Sequence, residues 1–178
     1  EDGGATYHTR YSSFEFFRGQ EGDKWKPEVK TPEHVQTGAQ KALLGRANAV
    51  NRHYMQREED HSQAQVFRAA ASFLDVNHDQ DRWFLHVEPF DPHEPFFSYP
   101  RYQQLYNLDD LPHTGDWPDY GRDHYTPEEK RHFIGCYAAL LSMCDHYLGT
   151  ILDKIDQYNL WDDTMLIVNT DHGFLLGE

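Results

Sequence analysis

The sequence predicts an α/β fold. Three observations predict it: an apolar stripe at helical spacing from residue 62 to about 76, a longer one from 126 to about 158, and a short apolar run after each, at 83–87 and 165–168, bounded by turn residues. Helix, strand, loop, helix, strand is the alternating order of α/β domains. At 178 residues the chain is long enough for one domain with its own core, and 1–178 is read as one such domain, present in part. Glu1 stands in place of a start methionine and Glu178 follows an apolar segment with no closing helix, so both ends are read as cuts in a longer chain.

Each element has its own local reason. Residues 1–30 interleave Tyr7, Tyr11, Phe14, Phe16, Phe17 and Trp25 with glycine and charge at no steady period, which reads as a large ordered loop or, through 13–17, as an edge strand. Residues 36–58 are irregular but compatible with helix, and from 62 to about 76 Val66, Phe67, Ala70, Phe73 and Leu74 form one helical face. A polar turn at 77–81 feeds the run 83–87, expected as a buried strand with His86 inside it as a core or supporting histidine. Residues 91–123 are rich in proline and glycine without periodicity, and read as a long functional loop.

Thr126-Pro127-Glu128-Glu129 then combines an N-cap, a proline in the first helical position and a glutamate placed for a capping box. The stripe behind it includes Phe133, Tyr137, Leu140, Leu141, Cys144, Leu148 and Ile151, and Asp145 lies on the stripe side, where partial burial and a structural role are expected. Asn159 and Asp162-Asp163 supply a turn, after which 165–168 is expected as a second buried strand. In open α/β sheets the functional loops gather at the carboxyl ends of strands, which is where both chemistry-bearing segments of this sequence fall.

Composition removes several function classes. Sixteen Lys and Arg against 30 Asp and Glu give a formal net charge of −14, with no local basic cluster, so nucleic acid and anionic membrane surfaces are poor partners. No apolar run approaches the ~18 residues of a membrane span, and the first residues show no signal-peptide pattern. Cys136 and Cys144 fall in one helical pattern about 12 Å apart, too far to form a disulfide.

Asp171 and His172 stand side by side where the second apolar run ends. A carboxylate and a neutral imidazole there can turn toward one cation, and Gly173 lets the backbone bend away, but the spacing is equally met by an Asx-turn closing a strand. In Pro92-His93-Glu94-Pro95-Phe96, prolines on both sides restrict the backbone and leave the imidazole little entropy to lose. His93 can then donate to a substrate oxygen or shuttle a proton; a solvated loop histidine is the plain alternative. Arg18 is read as one half of a structural ion pair rather than an anion binder.

The segment Thr170-Asp171-His172-Gly173, followed by Phe174-Leu175-Leu176-Gly177-Glu178, resembles the calcium-binding segment of the sulfatases, in the alkaline phosphatase superfamily. The residues before it, from Cys136-Tyr137-Ala138-Ala139-Leu140 through Asp145, Leu148-Gly149, Leu160 and Asp163-Thr164, are similar to the family's approach to that segment over about forty contiguous positions. The stretch from Phe84 to Phe96 resembles the one in which the family presents a histidine to substrate, and 11–23 is similar to a region of some bacterial sulfatases.

The resemblance implies an alkaline phosphatase-like fold, a central mixed, mostly parallel sheet flanked by helices, of which 1–178 is a partial catalytic domain. It implies metal ligation by Asp171 and His172, with Ca²⁺ as the cation and Mn²⁺ as the alternative. It gives His93 the substrate-binding and catalytic role, and makes the substrate a small-molecule or saccharide sulfate ester. The nucleophile of the family is a formylglycine made from Cys or Ser in a Cys-x-Pro-x-Arg or Ser-x-Pro-x-Arg segment. No such segment occurs here, since Cys136 is followed by Tyr-Ala-Ala-Leu and Cys144 by Asp-His-Tyr-Leu, and nothing before Tyr7 matches the family's first metal-binding aspartates. The formylglycine is therefore expected upstream. The isolated 178 residues are expected to be inactive, because two ligands fall short of the six to eight oxygens that Ca²⁺ takes. Two other readings stay open: a phosphonate monoester or phosphodiester hydrolase of the same superfamily, and a truncated, non-catalytic binding protein.

Overall fold

The computed structural model describes residues 7–30, 32–33, 42–111, 115–119 and 124–176. Among the described residues lie four α-helices: α1 (Ala42–Arg52), α2 (Ser62–Asn77), α3 (Pro100–Gln103) and α4 (Pro127–Gln157). Single 3₁₀ turns occur at His8–Arg10, Glu58–Asp60, Gln104–Tyr106, Leu108–Asp110 and Leu160–Asp162. The chain divides into two compact units, Glu1–Ala69 with Val87–Pro89 and Ala70–His86 with Phe90–Glu178, the boundary falling within α2.

The second unit is organised by α4. Its start is the expected capping box: the Glu129 amide donates to Thr126 Oγ1 at 3.2 Å, and the Thr126 amide donates to Glu129 Oε2 at 2.7 Å. Behind the cap, Phe133, Cys136, Leu140, Met143, Ile151 and Ile155 recur three to eight residues apart and are all buried. The helix ends at Gln157 with Tyr158 as its C-cap, and Asn159 turns the chain in the left-handed conformation, φ 53°, that asparagine tolerates better than most residues. Two positions on the expected stripe are corrected, because Leu141 and Asp145 are exposed. At 100° per residue Leu141 stands a quarter turn from Leu140, and Asp145 points away from the line through Met143.

Against this stripe Phe96, Tyr102 and Leu108 form one core with Cys136, Ala139, Leu140 and Met143. Cys136 and Cys144 are not joined in a disulfide, as their spacing requires. The loop expected over 91–123 is more structured than its composition suggests: α3 and the turns at Gln104–Tyr106 and Leu108–Asp110 all pack on α4. Residues 112–114 and 120–123 of that loop lie outside the described residues. Leu108 approaches so closely that a Cβ on Gly135 would overlap it, which accounts for a glycine inside a long helix. At the other end of α4, Lys154 Nζ and the Tyr158 hydroxyl each reach Asp75 Oδ1 at 2.6 Å, and the lysine is the main cause holding the Asp75 carboxyl below its ordinary range.

The two apolar runs expected as buried strands form no strand among the described residues. From Trp83 to Glu88 half-buried and exposed residues alternate, the period of a strand covered on one face, yet no ladder forms among the described residues and His86 is exposed. Residues 165–168 are all exposed, Met165 to 83%. An apolar, β-branched run becomes a strand only when a neighbouring backbone takes up its N–H and C=O groups in a ladder, and neither run is assigned to a strand among the described residues. The described residues therefore show helices and irregular segments where a central sheet is expected.

In the first unit, 7–30 is the expected ordered loop, without an edge strand at 13–17 among the described residues. It is held to α1 by backbone oxygens: Asn51 Nδ2 donates to the Asp23 carbonyl at 2.8 Å, and Arg46 Nη2 to that of Glu28 at 2.6 Å. Arg18 is engaged with Asp23 through both Nη2, at 2.5 Å, and Nε, at 3.1 Å, the structural ion pair its sequence context suggests. Of the helix-compatible stretch 36–58, only Ala42–Arg52 is helical as α1; 53–57 turn away from it, and 34–41 lie outside the described residues.

α2 opens at a buried histidine. The Gln63 amide donates to His61 Nδ1 at 3.3 Å, so the imidazole caps the helix in its neutral form. Burial is the first cause, and the Arg52 charge the second, that lowers the His61 pKa from 6.5 to about 4. A histidine depressed in this way contributes stability that is complete above its unfolded pKa and is lost as pH falls from 6.5 toward 4, up to ~3 kcal/mol. Melting curves of wild type and His61→Asn, which keeps an acceptor at the cap but does not titrate, are expected to diverge across this window. Wild type should lose stability more steeply on acidification; parallel curves would refute the buried neutral cap.

Candidate active site

His93 is set by the backbone on both sides of it. The Asp91-Pro92 and Glu94-Pro95 peptide bonds are both cis, the His93 amide donates to the Phe90 carbonyl at 3.3 Å, and the Phe96 amide donates to that of Asp116 at 2.7 Å. The ring packs on Phe90, with centroids 4.5 Å apart. Its Nδ1 lies 2.7 Å from the Glu94 carbonyl oxygen, an atom that only accepts, so Nδ1 carries the proton and Nε2 presents the lone pair in the neutral ring. The Glu94 carboxylate, 2% exposed, stands 3.2 Å from the same nitrogen. A third of the His93 side chain remains in contact with solvent, enough for a substrate oxygen to reach it.

Asp171 and His172 occupy an open turn, with their side chains 88% and 60% exposed. Local hydrogen bonds shape it: Thr170 Oγ1 donates to the His172 carbonyl at 2.7 Å, and the His172 amide donates to Asp171 Oδ1 at 3.0 Å. His172 Nδ1 lies 3.1 Å from the Gly173 carbonyl, which again places the proton on Nδ1. The second carboxylate oxygen, Asp171 Oδ2, and His172 Nε2 are then left 3.7 Å apart, a separation that two donors to one cation can span. Metal-ligating histidines usually donate their other ring N–H to a carbonyl or carboxylate, as His172 does here. The pair thus fits a divalent cation in donor type and tautomer. It falls short in number, since among the described residues no three His, Cys, Asp or Glu groups converge to hold a metal.

Phe174 joins the two segments. Its ring lies 6.0 Å from that of His93 at 89° and 5.9 Å from that of His172 at 73°, both edge-to-face. The same ring meets Phe96 at 5.2 Å and Tyr137 at 5.7 Å, so the described structure brings His93 and His172 to one apolar anchor, with the exposed Asp171 next to His172 in the chain. Sequence reasoning did not single out Phe174 or Glu94. The available signals were an aromatic two residues past the Asp-His pair and an acid held between two prolines.

A profile of the sulfatase family matches residues 6–178. The chain is 27% identical over 124 residues to the multifunctional alkaline phosphatase superfamily protein PehA of Trinickia caryophylli, a match covering 54% of this chain and 24% of that protein. It is 29% identical over 121 residues to the choline-sulfatase of Rhizobium meliloti (strain 1021), covering 57% of this chain and 24% of the relative. The matched stretch thus amounts to about a quarter of the length of either relative. No solved structure matches.

Beside His93, burial pushes the Asp91 carboxyl up to about 7 from an ordinary 3.8. A carboxyl raised in this way contributes its stability below the unfolded pKa and loses it as pH rises through about 7. Asp91→Asn, which cannot ionise, is therefore expected to melt above wild type at pH 8 and to lose that advantage toward pH 4. An advantage that does not change with pH would show that the carboxyl is already ionised throughout.

Proposed function

Since the chain belongs to the sulfatase family, we propose that it forms part of a metal-dependent centre that hydrolyses sulfate esters in the longer protein. The observation that supports this reading most directly is the pairing of Asp171 Oδ2 with His172 Nε2, 3.7 Å apart, while His172 Nδ1 is engaged by a carbonyl. Asp171 and His172 would hold the cation, which supplies positive charge to offset that of the sulfate. The proposed cation is Ca²⁺, with Mn²⁺ the alternative; a nitrogen donor is less usual for Ca²⁺, which takes oxygen ligands. The formylglycine nucleophile is proposed to come from outside these 178 residues.

His93 would then act at the substrate oxygens. With Nδ1 committed to Glu94, only Nε2 can meet the substrate, accepting a proton from it or returning one. The similarity to a choline-sulfatase supports a small sulfate ester as substrate, with a saccharide ester as the larger alternative. We further propose that 83–87 and 165–168 are strands of a sheet completed in the longer protein, whose neighbouring strands would take up their backbone N–H and C=O groups. Similarity to a relative described as multifunctional favours one second reading, a phosphonate monoester or phosphodiester hydrolase.

Three measurements on the full-length protein test this reading. Asp171→Asn keeps the shape of the side chain and removes its charge, so binding of Ca²⁺ or Mn²⁺ by calorimetric titration should weaken at least about tenfold, ~1.4 kcal/mol. Unchanged affinity would reduce the pair to an Asx-turn. His93→Ala should lower kcat on an aryl sulfate by roughly 10²-fold or more, a larger effect than its loss of stability, because the ring sits on a loop and is a third exposed. An unchanged rate removes His93 from the reaction. Faster turnover of an aryl phosphonate than of the aryl sulfate would select the second reading. The 178-residue chain alone is expected to show no turnover, and activity from it would overturn the assignment of the nucleophile to another segment.

A further inference from the structure

The turn that carries Asp171 and His172 has little packing of its own. Asp171, His172, Gly173 and Leu175 are all exposed, and the segment rests on the core through the partly buried Phe174 and Leu176. Phe174 does more than fill space. Phe96 and Tyr137 hold its ring at 87° and 66°, and the ring also stands edge-to-face with His172 and, at 89°, with His93. Edge-to-face contacts place the positive edge of one ring on the negative face of another, so they fix orientation as well as distance.

We propose that Phe174 is a positioning residue, whose ring sets where the Asp171–His172 pair stands relative to His93. The proposal rests on the reading of that pair as a metal-binding element. A leucine at 174 would still anchor the segment on the core, but it has no planar face or edge with which to orient two imidazoles from segments far apart in the sequence. Loss of the ring should therefore loosen the geometry of the site while most of the burial remains. Displacements of about 1 Å at reacting groups cost on the order of 10²-fold in rate, which makes the effect measurable.

The test compares Phe174→Leu, Phe174→Tyr and Asp171→Asn with wild type in the full-length protein. Its readouts are Mn²⁺ and Ca²⁺ affinity by calorimetry, kcat and KM on p-nitrophenyl sulfate, and melting temperature. Phe174→Leu is expected to weaken metal binding and to lower kcat by about tenfold or more, with KM changed far less and only a modest loss of melting temperature. Phe174→Tyr, which keeps the ring, should recover both. A leucine variant that keeps wild-type metal affinity and kcat overturns the proposal, as do equal losses in the leucine and tyrosine variants. If wild type binds metal through Asp171 but turns over neither sulfate nor phosphonate ester, the functional reading fails, and the metal affinity of Phe174→Leu alone decides for or against Phe174. If Asp171→Asn binds metal as tightly as wild type, the pair is no metal site and the proposal falls with it.

Discussion

Burial of Phe96 against the middle of α4 is the contact on which the candidate site depends. The side chain is 1% exposed and packs with Leu140 and Met143 in the core, while its amide is tied to the Asp116 carbonyl. Fully burying a phenylalanine is worth ~2–3 kcal/mol, more than the ~1 kcal/mol of a typical hydrogen bond such as those shaping the Asp171 turn. Only Glu94 and Pro95 separate Phe96 from His93, and proline has little freedom, so what holds Phe96 also holds the histidine. Phe174 packs on the same ring, which brings the second segment to the same reference point.

Several polar groups among the described residues are consumed by structure. Arg18 is clamped by Asp23, Asn51 by a loop carbonyl, and His61 by the start of α2. His93 and His172 differ from these in one respect. Each commits Nδ1 to the carbonyl of the next residue and keeps Nε2 on the opposite side of the ring, the arrangement that suits a substrate-facing or metal-facing imidazole. The exposed Asp171 carboxylate gains little from its neighbours by itself, and a cation would give its charge a partner.

Much of the helical structure was legible because its causes are local. The capping box at Thr126, the apolar recurrence along α4 and the stripe of α2 lie within a few residues of one another, and their elements formed close to where they were expected. The turns on α4 at 104–110 were not legible, because they are held by Leu108 seating against Gly135, a contact between residues distant in sequence. Asp145 and Leu141 were misplaced for a related reason. A stripe read from sequence has a width, and which side of it meets the core depends on the partners that pack there.

The sequence by itself determined α2 and α4 and the inability of the two cysteines to pair, because each follows from residue type and short-range spacing. Only the tertiary structure decided that both imidazoles stand on Phe174, that Glu94 engages His93 Nδ1, and that 83–87 and 165–168 form no strand among the described residues. Orientation of a ring and pairing of a strand both require a partner remote in the chain. Local spacing records what a segment offers, and the fold alone determines what it meets.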